Sequence, residues 1–185
     1  VKALKYGKGS DIDIAEGIVW AANNGANVIN ISIGLYTKST ALEKAVKYAI
    51  GKGVSIVSSA GNEAKSSKMH LPSMIKGVSE FSATTKDDKC APFSSFAQQL
   101  SVSAPGDKIF STMPTYQVEL TAKAGKSYGT LSGTSMSSPV VTGLVALLKS
   151  QDPSLTPAKI KEKIEASSVS LSKKKYDDKF GYGRV

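Results

Sequence analysis

The chain has 185 residues, of which 41% are hydrophobic, and a formal net charge of +9. This length and apolar content indicate one compact domain and exclude an intrinsically disordered chain, and no apolar run reaches the roughly 18–20 residues that a membrane-spanning helix requires. The positive charge comes almost entirely from scattered lysines, with Arg184 the only arginine, so arginine-based recognition of nucleic acid is not expected.

Strands and helices alternate in the first half of the chain. The chain opens inside a predicted strand at residues 1–4, and short β-branched runs at residues 27–32 and 54–59 are typical of buried strands. Residues 11–24 and 40–52 carry apolar side chains at helical spacing. For the first helix these are Ile12, Ala15, Ile18, Val19 and Ala22, with Ser10 or Asp11 as the N-cap. This order predicts right-handed crossovers and an α/β fold of three layers, in which helices flank a mostly parallel central sheet.

The second half of the chain is less regular. Residues 78–84 and 100–104 are predicted strands, and residues 116–128 are predicted to form a hairpin around Gly125. Residues 139–149 are apolar on nearly all sides, which predicts a buried helix. A last amphipathic helix is predicted at residues 156–166, with Thr156 as N-cap and Pro157 at the first helical position. No internal repeat or linker interrupts this pattern, so one domain is expected.

A serine stands where a run of small residues meets the predicted buried helix. The run is GTSMSSP at residues 133–139, with Ser135 at its centre. At a helix N-terminus, free backbone N–H groups and the helix dipole favour developing negative charge. Ser135 is therefore placed well for a nucleophile whose reaction passes through an oxyanion. The residues alone leave open that Ser135 only caps the helix.

Two predicted strand ends supply the other candidate residues. Asn62 follows one strand in the run SSAGNE at residues 58–63, and a second strand ends at Ser32-Ile33-Gly34. Because sites in parallel sheets lie beyond the carboxyl ends of the strands, these segments can converge on one cleft with Ser135. The Asn62 amide can donate a hydrogen bond there, although Gly-Asn also occurs in simple turns.

These motifs resemble those of one enzyme family. GTSMSSP resembles the nucleophile motif of the subtilisin-like serine proteases, whose usual form is GTSMASP. SSAGNE resembles the oxyanion-asparagine motif of that family, and VINISIG at residues 28–34 resembles its substrate-binding strand. The order and spacing match over essentially the whole chain, including residues 1–4, 93–95, 104–106 and 181–183. Several specific motifs in matching order outweigh the cap and turn interpretations.

The resemblance implies that residues 1–185 are the C-terminal part of a single subtilisin-like peptidase domain. It implies that Ser135 is the nucleophile that forms an acyl-enzyme, and that Asn62 and the backbone N–H of Ser135 bind the oxyanion. The substrate-binding residues that it implies are Ser32, Ile33 and Gly34 along the peptide, Ser58, Ser59, Ala60 and Gly61 in one wall of the P1 pocket, Leu71, Pro72 and Ser73 closing that pocket, and Thr134 beside the nucleophile.

The chain also departs from the family pattern. Relatives supply an aspartate and a histidine from earlier in the domain, in the order Asp, His, Ser. His70, the only histidine here, lies after the asparagine motif and has no counterpart, so we expect the base and its aspartate on an N-terminal fragment that stays bound to this chain. Gln99 and Ser101 fall near positions where some relatives place carboxylates for a weak cation site. Both are neutral, so no metal or cofactor is expected in this chain, and calcium would bind through residues outside it.

The function that the resemblance implies is a serine endopeptidase acting on peptide or protein substrates. A secreted or cell-surface bacterial enzyme is expected, either degradative or leader-processing, and present here as a nicked fragment. Because Cys90 is the only cysteine, no internal disulfide can form. The alternative is a non-catalytic peptide-binding remnant, which would need neither Ser135 nor Asn62. A nucleotide-binding domain is disfavoured, because the chain lacks a G-x-G-x-x-G motif after a first strand and a P-loop lysine motif.

Overall fold

The computed structural model describes residues 1–4, 9–66, 71–97 and 99–185. Its helices are α1 (Asp11–Asn23), α2 (Thr40–Gly51), α3 (Glu119–Ala124), α4 (Thr134–Gln151) and α5 (Pro157–Ser167). Its strands are β1 (Val28–Ile31), β2 (Ser55–Ser59), β3 (Ser79–Thr84), β4 (Val102–Pro105), β5 (Ile109–Thr112) and β6 (Tyr128–Leu131). None of the helices in these ranges has the length and apolar character needed to cross a membrane.

Four parallel strands form the central sheet, in the order β1-β2-β3-β4. Successive side chains of a strand point to opposite faces, so β2 sends Ile56 into the core beneath α1 and α2 and Val57 into the core beneath α4 and α5. Both side chains are almost completely buried. The predicted three-layer α/β fold with a mostly parallel sheet is therefore confirmed.

Helix ends follow the capping residues of the sequence. The Ser10 hydroxyl accepts a hydrogen bond from the Asp13 amide at 3.1 Å, which confirms Ser10 as the N-cap of α1. Thr156 caps α5 in the same way, with Pro157 as the first helical residue. The buried face of α1 differs by one position from the prediction, because Ile14 is buried and Ile12 is 56% exposed.

The predicted hairpin around Gly125 is wrong. Residues Glu119–Ala124 form the short helix α3, which the Glu119–Lys123 ion pair spans, and Gly125 follows it with a φ of +95°. The strand after this helix, β6, pairs in antiparallel fashion with β5. Local periodicity could not reveal this pairing, since its partner strand lies on the other side of the inserted helix.

Residues 1–4 form no strand, contrary to prediction. Val1 is 77% exposed. A groove of about 290 Å³ separates Val1 and Ala3 from β1. Paired strands lie about 4.8 Å apart and share hydrogen bonds. The groove lies between residues 1–4 and β1, and none of the described residues in it forms a strand that pairs with residues 1–4.

Helix α4 is longer and more exposed than predicted. It begins at Thr134, before the predicted start. Residues 134–138 are small and show no apolar period, so the sequence did not indicate that they are helical. Its buried side faces the sheet through Val141 and Val145. On the other side Val140 is 43% exposed and Leu147 is 64% exposed, so the expectation of a helix buried all round is wrong within the described residues.

Candidate active site

Ser135 is the second residue of α4, at the carboxyl end of the central sheet. Pro139 lies four residues further along and has no N–H, so it cannot bond the carbonyl of Ser135. The hydroxyl of Ser32, just beyond β1, donates to that carbonyl instead at 3.2 Å. This contact fixes the end of the predicted substrate-binding strand to the helical turn that carries Ser135.

The side chain of Asn62 has a defined orientation. Its Oδ1 accepts hydrogen bonds from the backbone N–H of Thr134 at 2.8 Å and from the Thr134 hydroxyl at 3.0 Å. Because both bonds use the oxygen, the Nδ2 group is left to donate, and no acceptor for it lies among the described residues. Asn62 therefore presents an amide donor beside the residue that precedes Ser135.

Buried contacts of Thr134 hold the Asn62 side chain in this orientation. It has no exposed surface, and its hydroxyl also accepts a hydrogen bond from the Gly61 amide at 3.2 Å. The hydroxyl thus joins the turn that carries Asn62 to the turn that carries Ser135. Sequence reasoning placed Thr134 among the substrate-binding residues, and its burial instead suits a residue that positions Asn62. That prediction rested on the motif Gly-Thr-Ser, and the motif does not by itself reveal that Thr134 contacts Asn62 across the sheet.

Two glycines allow the segments to approach closely. A Cβ added at Gly106 would lie 2.2 Å from the Ser137 Oγ and 2.8 Å from the Gly133 carbonyl oxygen. At Gly61 the φ is +99°, and a Cβ would lie 2.6 Å from the Glu63 Oε2. A side chain at Gly106 would press on the backbone of Gly133, and the positive φ at Gly61 would strain any other residue there, so both glycines suit the turns around Ser135.

The described substrate-binding candidates lie on neighbouring strand ends. Ser32 and Ile33 are half-buried and Gly34 is exposed, so this segment has backbone available for a peptide. The other wall is more closed. Its side chains, including those of Ser58, Ser59 and Ala60, are buried, and the Ser58 hydroxyl donates to the Ile31 carbonyl at 3.2 Å. Ser58 therefore ties β1 to β2.

The loop predicted to close the pocket meets the segment after β1. Leu35 and Leu71 exchange two backbone hydrogen bonds, at 3.0 and 2.8 Å. Pro72 is buried, and Ser73 is only 2% exposed. The structure thus brings residues 71–73 to the same region as Ser32, Ile33 and Gly34. Their role in substrate binding remains a prediction.

A carboxylate lies at the edge of this region. Glu63 follows Asn62, and its Oε2 accepts a hydrogen bond from the buried Ser95 hydroxyl at 3.1 Å. Partial burial, together with the hydrogen bond and charge of Glu63, raises the pKa of the Tyr36 phenol to about 12. Sequence reasoning had not singled out Tyr36, because its contact with Glu63 joins two loops that are distant in sequence.

The site is incomplete within the described residues. No hydrogen bond reaches the Ser135 hydroxyl from any of them, and His70 lies outside the described residues. A serine hydroxyl needs an adjacent base to become a nucleophile at neutral pH. Among the described residues, the arrangement brings the predicted nucleophile and oxyanion donors together, and no base contacts the Ser135 hydroxyl.

Comparison with known proteins agrees with this geometry. The model of the subtilase family matches residues 1–183. A thermophilic serine proteinase from Bacillus sp. (strain AK1) is 38% identical over 186 residues, an alignment that covers 100% of this chain and 43% of the relative. Subtilisin BL from Lederbergia lenta is 35% identical, with 89% of this chain and 57% of the relative covered.

Solved structures show the same likeness. Fervidolysin from Fervidobacterium pennivorans, described as a keratinolytic enzyme related to subtilisin, superposes with a TM-score of 0.84 at 34% identity, over 95% of this chain and 28% of its own. A lanthipeptide protease superposes with a TM-score of 0.87 at 26% identity, over 99% of this chain and 67% of its own. The chain spans about half the length of the curated relatives it matches, from 40% to 61%. The chain belongs to the subtilase family of serine proteases and spans only part of the length of the relatives compared with it.

Proposed function

We propose that this chain is the C-terminal part of a serine endopeptidase domain and supplies its nucleophile and oxyanion hole. In the proposed reaction, the Ser135 Oγ attacks the carbonyl carbon of the scissile peptide bond, and its proton passes to a histidine on another segment of the protein. The carbonyl oxygen becomes an oxyanion, which the Asn62 Nδ2 and the Ser135 backbone N–H stabilise. The C–N bond then breaks, the histidine returns the proton to the leaving amine, and water hydrolyses the acyl-enzyme.

One observation carries this proposal: Thr134 occupies the oxygen of Asn62 with two hydrogen bonds and so aims the nitrogen outward. A turn residue with no catalytic role would not need this fixed orientation. A donor that is already oriented costs no reorganisation when charge develops on the substrate. The non-catalytic peptide-binding alternative gives no reason for it.

The segment that supplies the base is proposed to pair with β1. The Ser55 amide donates to the Asn27 carbonyl, so in the parallel ladder residues 27, 29 and 31 face β2 while Val28 and Asn30 face the open edge. The groove between this edge and Val1 is about 290 Å³ and is lined largely by apolar side chains. A strand of an N-terminal fragment of the same domain suits both features, because it would satisfy the open edge and bury the groove.

The substrate is proposed to be a peptide or protein whose chain pairs with residues 32–34. Its P1 side chain would enter the pocket walled by residues 58–61 and 71–73. The likeness to a lanthipeptide protease favours removal of leader peptides, whereas the curated relatives include alkaline and thermophilic proteases. These bacterial relatives also support a secreted or cell-surface enzyme. We propose no metal or cofactor for the chemical step.

The test is peptide hydrolysis by the complete protein. Ser135→Ala is expected to remove hydrolysis of a library of short peptides, whereas Ser150→Ala, an exposed serine on the same helix, is expected to retain it. Unchanged hydrolysis in Ser135→Ala would refute the assignment of the nucleophile. Peptide binding without hydrolysis in the unaltered protein would favour the non-catalytic alternative.

A further inference from the structure

A second cavity lies behind the predicted P1 pocket. It measures about 320 Å³ and is bordered by residues 73–78, by Gln99 and Leu100, by Lys161 of α5, and by Tyr176 and Tyr182. Ser73 belongs both to this cavity and to the predicted wall of the P1 pocket. Contacts that hold the loop at residues 73–78 therefore also hold part of that wall.

The resemblance to subtilisin-like proteases places a weak cation site of some relatives near Gln99 and Ser101. Such a site requires oxygen ligands, commonly carboxylates. Here Gln99 turns a donor toward the loop, since its Nε2 donates to the Ser73 carbonyl at 3.3 Å. Ser101 donates its hydroxyl to the Glu165 Oε1 at 2.8 Å. Neither side chain is therefore arranged as a ligand of a metal ion.

The charges around the cavity also oppose a cation. The charged side chains that line it are Lys76 and Lys161, and no carboxylate does so among the described residues. Lys161 forms an ion pair with Glu165, and the two side chains are only 32% and 17% exposed. The nearby Glu80 is fully buried and does not line the cavity. Burial, followed by the charges of Asp178 and Glu80, raises the pKa of Tyr176, so its phenol stays neutral.

We infer that Gln99 holds the loop at residues 73–78 through its bond to Ser73, and that Lys161 brings to the same cavity the positive charge that a bound cation would supply. Lys161 supplies the positive charge from α5, and Glu165 connects it to Ser101, which is 1% exposed. Gln99 supplies the direct bond to the loop. Helix α5 thereby contributes a charge to the cavity that borders the predicted P1 pocket wall, and the loop is held without an ion.

The test is hydrogen exchange by mass spectrometry on the complete protein, read in peptides that cover residues 73–78. In the unaltered protein, protection is expected to be the same with a chelator and with millimolar calcium or potassium. Gln99→Leu is expected to lower protection by roughly three- to tenfold, the value of one hydrogen bond. Lys161→Met is expected to lower it as well, and added cation is not expected to restore it, because no carboxylate among the described residues lines the cavity.

Lys159→Met is the matched control, since this exposed lysine pairs with Glu162 on the same helix and does not line the cavity. It is expected to leave the loop unchanged. Protection that rises with calcium or potassium in the unaltered protein would overturn the inference, as would Lys161→Met and Gln99→Leu proteins whose loops exchange like the parent. The measurement requires no activity, so it is independent of the proposed function.

Discussion

The N-terminus of α4 and the outer edge of β1 are built in opposite ways. At the first, Thr134 is fully buried and bonds both Asn62 and Gly61, and Ser32 takes the carbonyl that Pro139 leaves free. At the second, β1 is only partly buried and borders an apolar groove, whereas every residue of its neighbour β2 is buried. Contacts within the chain tie together the segments of the first region, whereas among the described residues no strand pairs with the outer edge of β1.

This difference separates two parts of one active site. The oxyanion donors need precise orientation, which contacts within the chain provide. Strand β1 at this edge has the apolar sequence of an interior strand, VINI, but in the described part of the chain it pairs only with β2. Contacts within the chain therefore position the proposed nucleophile and oxyanion donors, whereas the proposed base would come from a segment that pairs with β1.

The largest expected effect concerns Asn62, in the region around the N-terminus of α4. Asn62→Ala in the complete protein should lower kcat by roughly 10²–10³ with little change in KM, a magnitude known from the equivalent change in subtilisin. The reason is that the substrate carbonyl becomes charged only on attack, so the amide acts mainly in the transition state. Asn62→Asp should be at least as damaging, since a carboxylate repels the oxyanion.

The turn interpretation of Asn62 makes a different forecast. If Asn62 served only the turn, Asn62→Gly would be nearly silent in kcat, and Asn62→Ala would lower the melting temperature more than the rate. Steady-state kinetics and thermal melts of the three variants separate the two accounts. A full kcat with reduced stability would remove Asn62 from the active site.

The second prediction tests the open edge. Val28→Pro removes an amide that faces away from β2, a change that a solvent-exposed edge strand tolerates. If another segment pairs with β1, the complete protein should instead lose about 2 kcal/mol of stability, from one lost hydrogen bond and the disturbed neighbour. Differential scanning calorimetry measures this loss as a fall of several degrees in Tm. An unchanged Tm would mean that the edge is free.

A smaller effect is expected from the residue that positions Asn62. Thr134→Val removes the hydroxyl bond to Asn62 and leaves the buried Gly61 amide without its acceptor. We expect kcat to fall about tenfold with little change in KM, because the amide loses part of its orientation. Thr142→Val is the control, since this hydroxyl on the same helix bonds Asn30 and Ser138 instead. Equal rate losses in both variants would contradict a specific role for Thr134.

The smallest effect concerns the bond between Ser32 and the first turn of α4. Ser32→Ala should cost about 1 kcal/mol of stability by removing the donor to the Ser135 carbonyl. Pro139→Ala restores a backbone N–H to the same carbonyl. The two changes together should therefore cost less than the sum of each alone in a double-mutant cycle of denaturant melts. Strict additivity would show that the two donors do not serve the same group.

Much of the fold could be predicted from the sequence because its elements have strong local signals. Residues 11–24 and 40–52 show helical periodicity, and β1 and β2 are short β-branched runs. Helix α3 was missed, because the segment around Gly125 has no clear period and β6 pairs with a strand beyond it. The start of α4 was also missed, since residues 134–138 are small and hydroxylated.

The residues of the site could be predicted, but their connections could not. Ser135 and Asn62 stand in specific motifs, and the structure places both at the carboxyl edge of the sheet. The bonds that orient them join residues 72 or more positions apart, as between Asn62 and Thr134 or between Ser32 and Ser135. Such contacts depend on the folded sheet, and residue type or spacing along one segment does not reveal them.

The most direct test of the central claim is labelling with a fluorophosphonate probe, followed by mass spectrometric mapping of the modified peptide. In the complete protein the account predicts labelling at Ser135 and its loss in Ser135→Ala. The chain of residues 1–185 alone is expected to label poorly, because none of its described residues contacts the Ser135 hydroxyl as a base. Labelling at another residue of the complete protein, or full labelling of Ser135 in the isolated chain, would contradict the account.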